Sequence, residues 1–335
     1  MSIRVTSTTI SLVLLTSAYA TGQSPQRDVF VVYTANYQDR GGSEQTERFS
    51  QRVKLAPEGR FSIANLAGDV SITGGSGDEV MIEAVKRTRG NQGRLAGVDI
   101  QVEERSGRVD VRTRHRDPSG RVRVDYTIRV PLSASVDARL VFGSVTVSGV
   151  RGVVRAESVS GNVTTTGTPQ LEVAKSVSGD VVLSGADASR DLAAASVSGT
   201  IRAKGLKLRG LDLNTVSGDI MLSGVTCDRL NARSVSGSVE YAGALTNSGQ
   251  YDINSHSGAV RLELTGDVGF ELDARSFSGS TRSDLPMTLS AGRNARPGSN
   301  RGGIGGSSIQ ATFGNGSAMV TVRTFSGDVI ISRGR

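Results

Sequence analysis

SVSGDVVLSG, Ser176 to Gly185, is the stretch on which the fold turns. SVSG also begins at Ser158, Ser196 and Ser234. Variants begin at Thr215 (TVSG), Ser255 (SHSG), Ser276 (SFSG) and Thr324 (TFSG). The marker glycines Gly161, Gly179, Gly199, Gly218, Gly237, Gly258 and Gly279 follow one another at steps of 18, 20, 19, 19, 21 and 21 residues. LVFG places Gly143 another 18 residues earlier. A fixed period near 20 residues marks a repeat architecture.

Apolar residues recur at −7, −5, −2, +2 and +4 from each glycine. Around Gly218 they are Leu211, Leu213, Val216, Ile220 and Leu222; around Gly237 they are Leu230, Ala232, Val235, Val239 and Tyr241. Spacings of two mean a strand with one face inward. The one spacing of three breaks that parity, so a bend ahead of the SVSG is expected to keep both halves facing the core. Val159, Val177, Val197, Val216 and Val235 are then expected to form one buried column. Glu172 takes an apolar slot before Gly179. No helical periodicity is present. The fold class is therefore all-β, a single-chain parallel β-solenoid of about 19-residue coils. Eight contiguous coils at ~4.8 Å each would make a rod of roughly 38 Å.

The serines of the motif stack into two columns, through Ser158, Ser176, Ser196, Thr215 and Ser234, and through Ser160, Ser178, Ser198, Ser217 and Ser236. Their hydroxyls can bond one another or the corner backbone, a structural Ser/Thr ladder that needs no ligand. The glycine allows either a left-handed backbone or close contact between coils.

The ends differ from the middle. Between Gly68 and Gly143, EVMIEAV, VDIQVEE, GRVDVRT and RVRVDYTIRV suggest an antiparallel N-terminal β cap. Near the C-terminus, SIQATF and AMVTV flank Gly314-Asn315-Gly316-Ser317, a hairpin signal. Caps are needed because bare edge strands aggregate. The start reads MSIRVTSTTISLVLLTSAYATGQ: Arg4, an apolar run from Ile10 to Leu15, and Ala18-Tyr19-Ala20 as a cleavage signature. The expected organisation is a signal peptide over 1–20, a variable segment over 21–48, the N-terminal cap over 49–135, solenoid repeats over 136–283, and a C-terminal loop, hairpin and last coil over 284–335. No later segment reaches membrane-span length, so the chain reads as exported, to the periplasm, the cell surface or the medium.

FSIANLAGDVSITGGSGDEVMIEAVK, VDYTIRVPLSASVDARLVFGSVTVSG, the tandem SVSGDV coils and TFSGDVII together resemble a bacterial exported family named "putative adhesin", a domain of unknown function with β-strand repeats. The resemblance covers roughly residues 49–335. It implies a solenoid-like β fold and an extracytoplasmic place, and it carries no catalytic residues to transfer.

The residues themselves argue against catalysis. A G-x-S-x-G nucleophile needs a strand–elbow–helix context, and no helix follows SVSG. His115 and His256 are the two histidines; the first is expected exposed at a strand end, the second neutral in the inward valine column. They form no zinc pattern with Cys227, a lone cysteine. Asp69, Asp180, Asp219 and Asp328 follow their glycines as turn residues. Asp180 and Asp219 lie two coils apart, about 9.6 Å, too far to share a calcium ion. No cofactor or metal is expected. A polysaccharide lyase-like, carbohydrate-active solenoid is the alternative, and it would need a charged cluster on one outer sheet.

With a formal net charge of +7, anionic partners are favoured electrostatically. Arg112, Arg114, Arg116, Arg121 and Arg123 crowd the N-terminal segment, and Arg293, Arg296 and Arg301 a C-terminal loop. They are the candidate contacts for a cell-surface glycan or other anionic polymer. Edge protection would use the same charges. Nucleic acid is disfavoured, because aromatics for base stacking are few. The expected function is a non-catalytic adhesive or structural binding module.

Overall fold

The computed structural model describes residues 30–34, 44–116, 122–289 and 307–334. The expected signal peptide lies outside these residues. Two sheets of fourteen strands each form the long faces of a rod. Each coil lends one strand to each sheet. In the central coil, Lys207–Thr215 lies in one sheet and Ile220–Ser223 in the other. Lys207–Thr215 pairs in parallel with Asp187–Ser196 and Thr226–Ser234, which sets Thr215 level with Ser196 and Ser234. Ile220–Ser223 is parallel to Ile201–Lys204 and Val239–Ala244. The chain is a parallel β-solenoid with antiparallel strands at its ends.

The core is a thin slab of side chains from both sheets. Leu211, Leu213, Ile220 and Leu222 are buried, as are their counterparts in neighbouring coils. Aliphatic side chains fill most of it, with Tyr126, Tyr241, Phe61 and Phe270 the largest that are fully buried. At the far end of each short strand the chain reverses through a left-handed glycine such as Gly205 or Gly224, a conformation costly for any residue with a Cβ.

The slot at −2 is the first correction. Val159, Val177, Val197, Val216 and Val235 are 44–47% exposed, not buried. The strand keeps its period of two for one more step, so the Ser or Thr at −3 points inward: Thr215 is 5% exposed. The corner then occupies −2 to +1, and the inward alternation resumes at +2. A hydroxyl is tolerated inside because a backbone carbonyl accepts its hydrogen bond.

Glu172 is accommodated by a shift in register. Val154 pairs with Leu171 but Arg155 with Val173, so Leu171 fills the core. The extra residue is a β-bulge. Glu172 stays half-buried and accepts from Arg155 at 2.7 Å, with Arg190 at 3.5 Å.

Both ends depart from the expected caps. Arg108–His115 runs parallel to Arg60–Ala67, and Val122–Pro131 parallel to Val70–Gly75. The segment expected as an antiparallel meander thus supplies a further coil layer. The antiparallel strands around that layer are Val98–Arg105, Glu79–Arg89, Glu44–Lys54 and Phe30–Thr34. The last two put strand structure inside the segment read as variable.

At the other end, Ala318–Thr324 and Val329–Arg333 enter between two earlier coils. They pair with Gln250–Ser255 and Val260–Thr265 on one side, and with Phe270–Ser276 and Thr281–Ser283 on the other. The coil last in sequence is therefore penultimate in space. Gly314–Ser317 makes no hairpin: Ser307–Phe313 pairs antiparallel with Phe270–Ser276, which separates it from Ala318–Thr324. Four residues can cross two strand spacings of roughly 9.6 Å, since they reach about 13 Å when extended. The shared strand orders define eleven two-strand layers, whose ten spacings of about 4.8 Å span roughly 48 Å.

Candidate binding surfaces of the rod

Each SVSG corner is a joint between layers. The inward hydroxyl of every copy from Ser158 to Thr324 donates to the carbonyl of the marker glycine one layer back, at 2.8–3.2 Å. The inserted coil obeys the same rule: Thr324 donates to Gly258, and Ser276 to Gly327. A Cβ on Gly218 would collide with the Gly199 carbonyl, and one on Gly237 with that of Gly218. Close approach of backbones is thus what Gly218 and Gly237 require, while Gly68, Gly143 and Gly161 in the same column also have positive φ.

The aspartates after the glycines complete the joint. Asp69, Asp180, Asp219 and Asp328 each accept the backbone N–H of the equivalent residue one layer on, at 2.8–2.9 Å. Asp180 also takes Arg202 at 2.7 Å. That bond, then the backbone bond, holds its carboxyl below the usual carboxylate range.

Outside the joint, three columns run along the corner. The first is the exposed valine ladder, extended by His256, Phe325 and Phe277. The three rings stack with centroids 4.9 and 4.7 Å apart and planes within 11°. His256 is therefore exposed, not inside a valine column. The second column is the outward serine set, Ser160, Ser178, Ser198, Ser217 and Ser236, all exposed. The third, at −4, is mixed: Glu157, Lys175, Ala195, Asn214, Arg233, Asn254, Arg323 and Arg275. A shallow groove of about 670 Å³ lies between this third column and the ladder. Asn214, Arg233, Asn254 and Arg323 line one side, and Val216, Val235, His256 and Phe325 the other. Its sequence signal was the parity break at −2: an apolar residue one step out of phase is either a bend or an outward side chain.

Of the arginines singled out, Arg112, Arg114 and Arg116 alternate along Arg108–His115 and just beyond, all exposed on one face. Arg116 has a 3.7 Å ion pair with Asp99. No ion pair is formed by Arg112 or Arg114 among the described residues. Arg123 falls on the opposite sheet, in Val122–Pro131, opposite Arg87. It reaches Asp69 at 3.4 Å and lines a hollow of about 780 Å³ with Arg87, Arg89, Arg94, Glu44 and Asp125. Arg87 is paired there with Asp125 at 2.9 Å. Arg121, Arg293, Arg296 and Arg301 lie outside the described residues.

Cys227, His115, Asp191 and Asp328 are titratable groups whose surroundings shift them. Cys227 is buried, and burial pushes its thiol up to about 12, which leaves essentially no thiolate at neutral pH. His115 ends its strand as expected but is half-buried rather than exposed: neither ring nitrogen has a partner among the described residues, and desolvation lowers its pKa. On the outer faces, Asp191 is held low by Arg209, with Arg229 also in contact, and Asp328 by the backbone N–H of Ser280. A glycosidic general acid needs the opposite shift. Among the described residues no cluster of three His, Cys, Asp or Glu is placed to hold a metal. No helix among them is long and apolar enough to cross a membrane.

A family profile described as Toastrack DUF4097 matches residues 58–332. Among curated proteins, none matches. Solved structures with a similar path include one titled a "putative adhesin" from Parabacteroides distasonis, at 12% identity and TM-score 0.37, covering 87% of this chain and 97% of that one. A "putative lipid binding protein" from the same organism has 8% identity and TM-score 0.41, with 85% and 96% covered. A "putative cell adhesion protein" from Clostridium sporogenes has 11% identity and TM-score 0.24, with 85% and 98% covered.

Proposed function

The chain belongs to the Toastrack DUF4097 family, and from that premise we propose that it is an exported, non-catalytic β-solenoid that binds an anionic cell-surface polymer through its N-terminal arginines. The observation that carries this reading is the row Arg112, Arg114, Arg116. All three are exposed, Arg112 and Arg114 on one face of the strand Arg108–His115 and Arg116 just past its end, and the first two have no ion-pair partner among the described residues. Alternate residues of a strand stand about 6.7 Å apart, so the three guanidinium groups address roughly 13 Å of polymer. Arginine suits carboxylate or phosphate because its planar fork can engage either bidentately. A rigid rod loses little entropy on binding, and repeated weak contacts along a polymer add through effective concentration.

Export is supported by Arg4, the apolar run to Leu15 and the Ala18-Tyr19-Ala20 pattern. Mass spectrometry of the native protein is expected to find an N-terminus near Thr21; an intact Met1 in the cytosol contradicts export. The binding reading is tested with an acidic polysaccharide and with lipopolysaccharide. Binding is expected at low salt, weakened by Arg112→Ser/Arg114→Ser/Arg116→Ser with the melting temperature unchanged. It is also expected to weaken as salt rises, since exposed charges are screened beyond roughly 10 Å at 0.1 M. Absence of low-salt binding, or indifference to the triple change, leaves these arginines as edge protection only.

A further inference from the structure

We propose that the corner carrying the exposed apolar ladder is a self-association surface, on which a second copy of this chain docks with its rod parallel to the first. Nothing in this depends on polymer binding, which uses a different strand.

The ladder is too long and too regular to be scattered surface hydrophobicity. From Val159 to Phe277, eight successive layers each present a Val, His or Phe at the same corner position. At roughly half exposure apiece, these rungs show on the order of 600 Å² of contiguous apolar surface, the upper range for a monomer and common at interaction sites.

Pitch is the first argument for a second copy. Rungs recur at one strand spacing, about 4.8 Å. Rungs of one ladder stay level with those of another along its whole length only if the repeat is the same, and an identical chain has that repeat by construction. A two-fold contact is moreover self-complementary.

Charge selects the direction. The ladder is flanked on one side by the −4 column, which carries Lys175, Arg233, Arg323 and Arg275 but also Glu157, and on the other by the serine column and the +1 column, which carries Asp180, Asp219 and Asp328. With the two-fold axis parallel to the rods, each −4 residue faces the +1 residue of the same layer in the other copy. Lys175 then faces Asp180, Arg323 faces Asp328, Arg233 faces Ser238, and Glu157 faces Asn162. No two like charges meet in any of the eight layers. Asp180 keeps its own Arg202 in this arrangement. With the rods antiparallel and the eight layers in full register, Lys175 would meet Arg323 and Asp180 would meet Asp328, against one favourable pairing of Glu157 with Arg275. Electrostatic complementarity of this kind fixes register more than it adds affinity.

Sedimentation velocity of the full chain over a micromolar range tests the proposal. A dimer is expected. Val197→Asp/Val216→Asp should give a monomer whose circular dichroism melting in dilute solution is unchanged, because both sites are exposed in the single rod. Lys175→Glu should weaken the dimer by about threefold to tenfold, the scale of two exposed ion pairs. Orientation is read from Val177→Cys and Val235→Cys separately, each treated with a short bismaleimide. Both should cross-link to themselves in parallel rods, whereas an antiparallel pair could cross-link only one of them to itself. A wild-type chain that stays monomeric, or a double-aspartate variant that stays dimeric, overturns the surface. A dimer in which the two cysteine variants do not both self-link overturns the parallel register.

Discussion

Thr215 and Val216 are neighbours in one corner and live in opposite environments. The threonine is sealed inside and the valine stands in solvent. The same inversion is repeated from Ser158/Val159 to Ser276/Phe277. Hydropathy alone would place them the other way round. What decides is the partner each position has: an inward carbonyl waits at Gly199 for the hydroxyl, while the outward rung has only the rungs above and below it. Burial of a polar group is cheap when its hydrogen bond is made and costly when it is not.

The comparison can be broken most severely through the glycine. Gly218→Val would drive a side chain into the Gly199 carbonyl; overpacking against an unyielding backbone is expected to cost ~3 kcal/mol or more, seen as a large drop in melting temperature. Thr215→Val comes next. It keeps the shape but leaves the carbonyl without its hydroxyl, a loss of about 1–3 kcal/mol in chemical denaturation. Smaller again is the acid response of His115, whose folded-state pKa is lowered by desolvation. The unfolded chain then binds more protons once pH drops below about 6.5, the ordinary histidine value. Stability should be complete above that pH and fall as pH descends toward the folded value. His115→Leu should flatten this part of the melting-temperature profile. The least effect is expected from Val216→Asp in dilute protein, within about 0.5 kcal/mol of wild type, as for ordinary surface positions. A destabilisation there as large as that of Thr215→Val would erase the distinction between the two columns.

Much of the rod was legible because its determinants are local. The period of the glycines and the alternation of Leu211 with Leu213 and Ile220 with Leu222 are enough to specify coils, two sheets and a narrow core. The corner was misread because side-chain apolarity stood in for direction, and the competing reading of the parity break was an outward valine. Pairing order at the ends is another matter. Nothing in TFSG tells the coil at Thr324 to slip between those at Ser255 and Ser276; that depends on a vacant slot left by strands far away in sequence. The same holds for Arg108–His115 and Val122–Pro131, whose alternation fits a cap or a coil equally. Of the candidate site, the row Arg112, Arg114, Arg116 follows directly from strand alternation. Arg123 does not join it, because the chain changes sheet between Arg108–His115 and Val122–Pro131.

The inverted corner is tested most directly by thiol labelling of two single variants, Thr215→Cys and Val216→Cys, in dilute native protein. The cysteine at 216 is expected to react nearly as fast as in the unfolded chain. The cysteine at 215 should be protected by roughly a hundredfold or more, opening only with larger fluctuations of the rod. Equal rates, or faster reaction at 215, would contradict the inward hydroxyl and the outward ladder together.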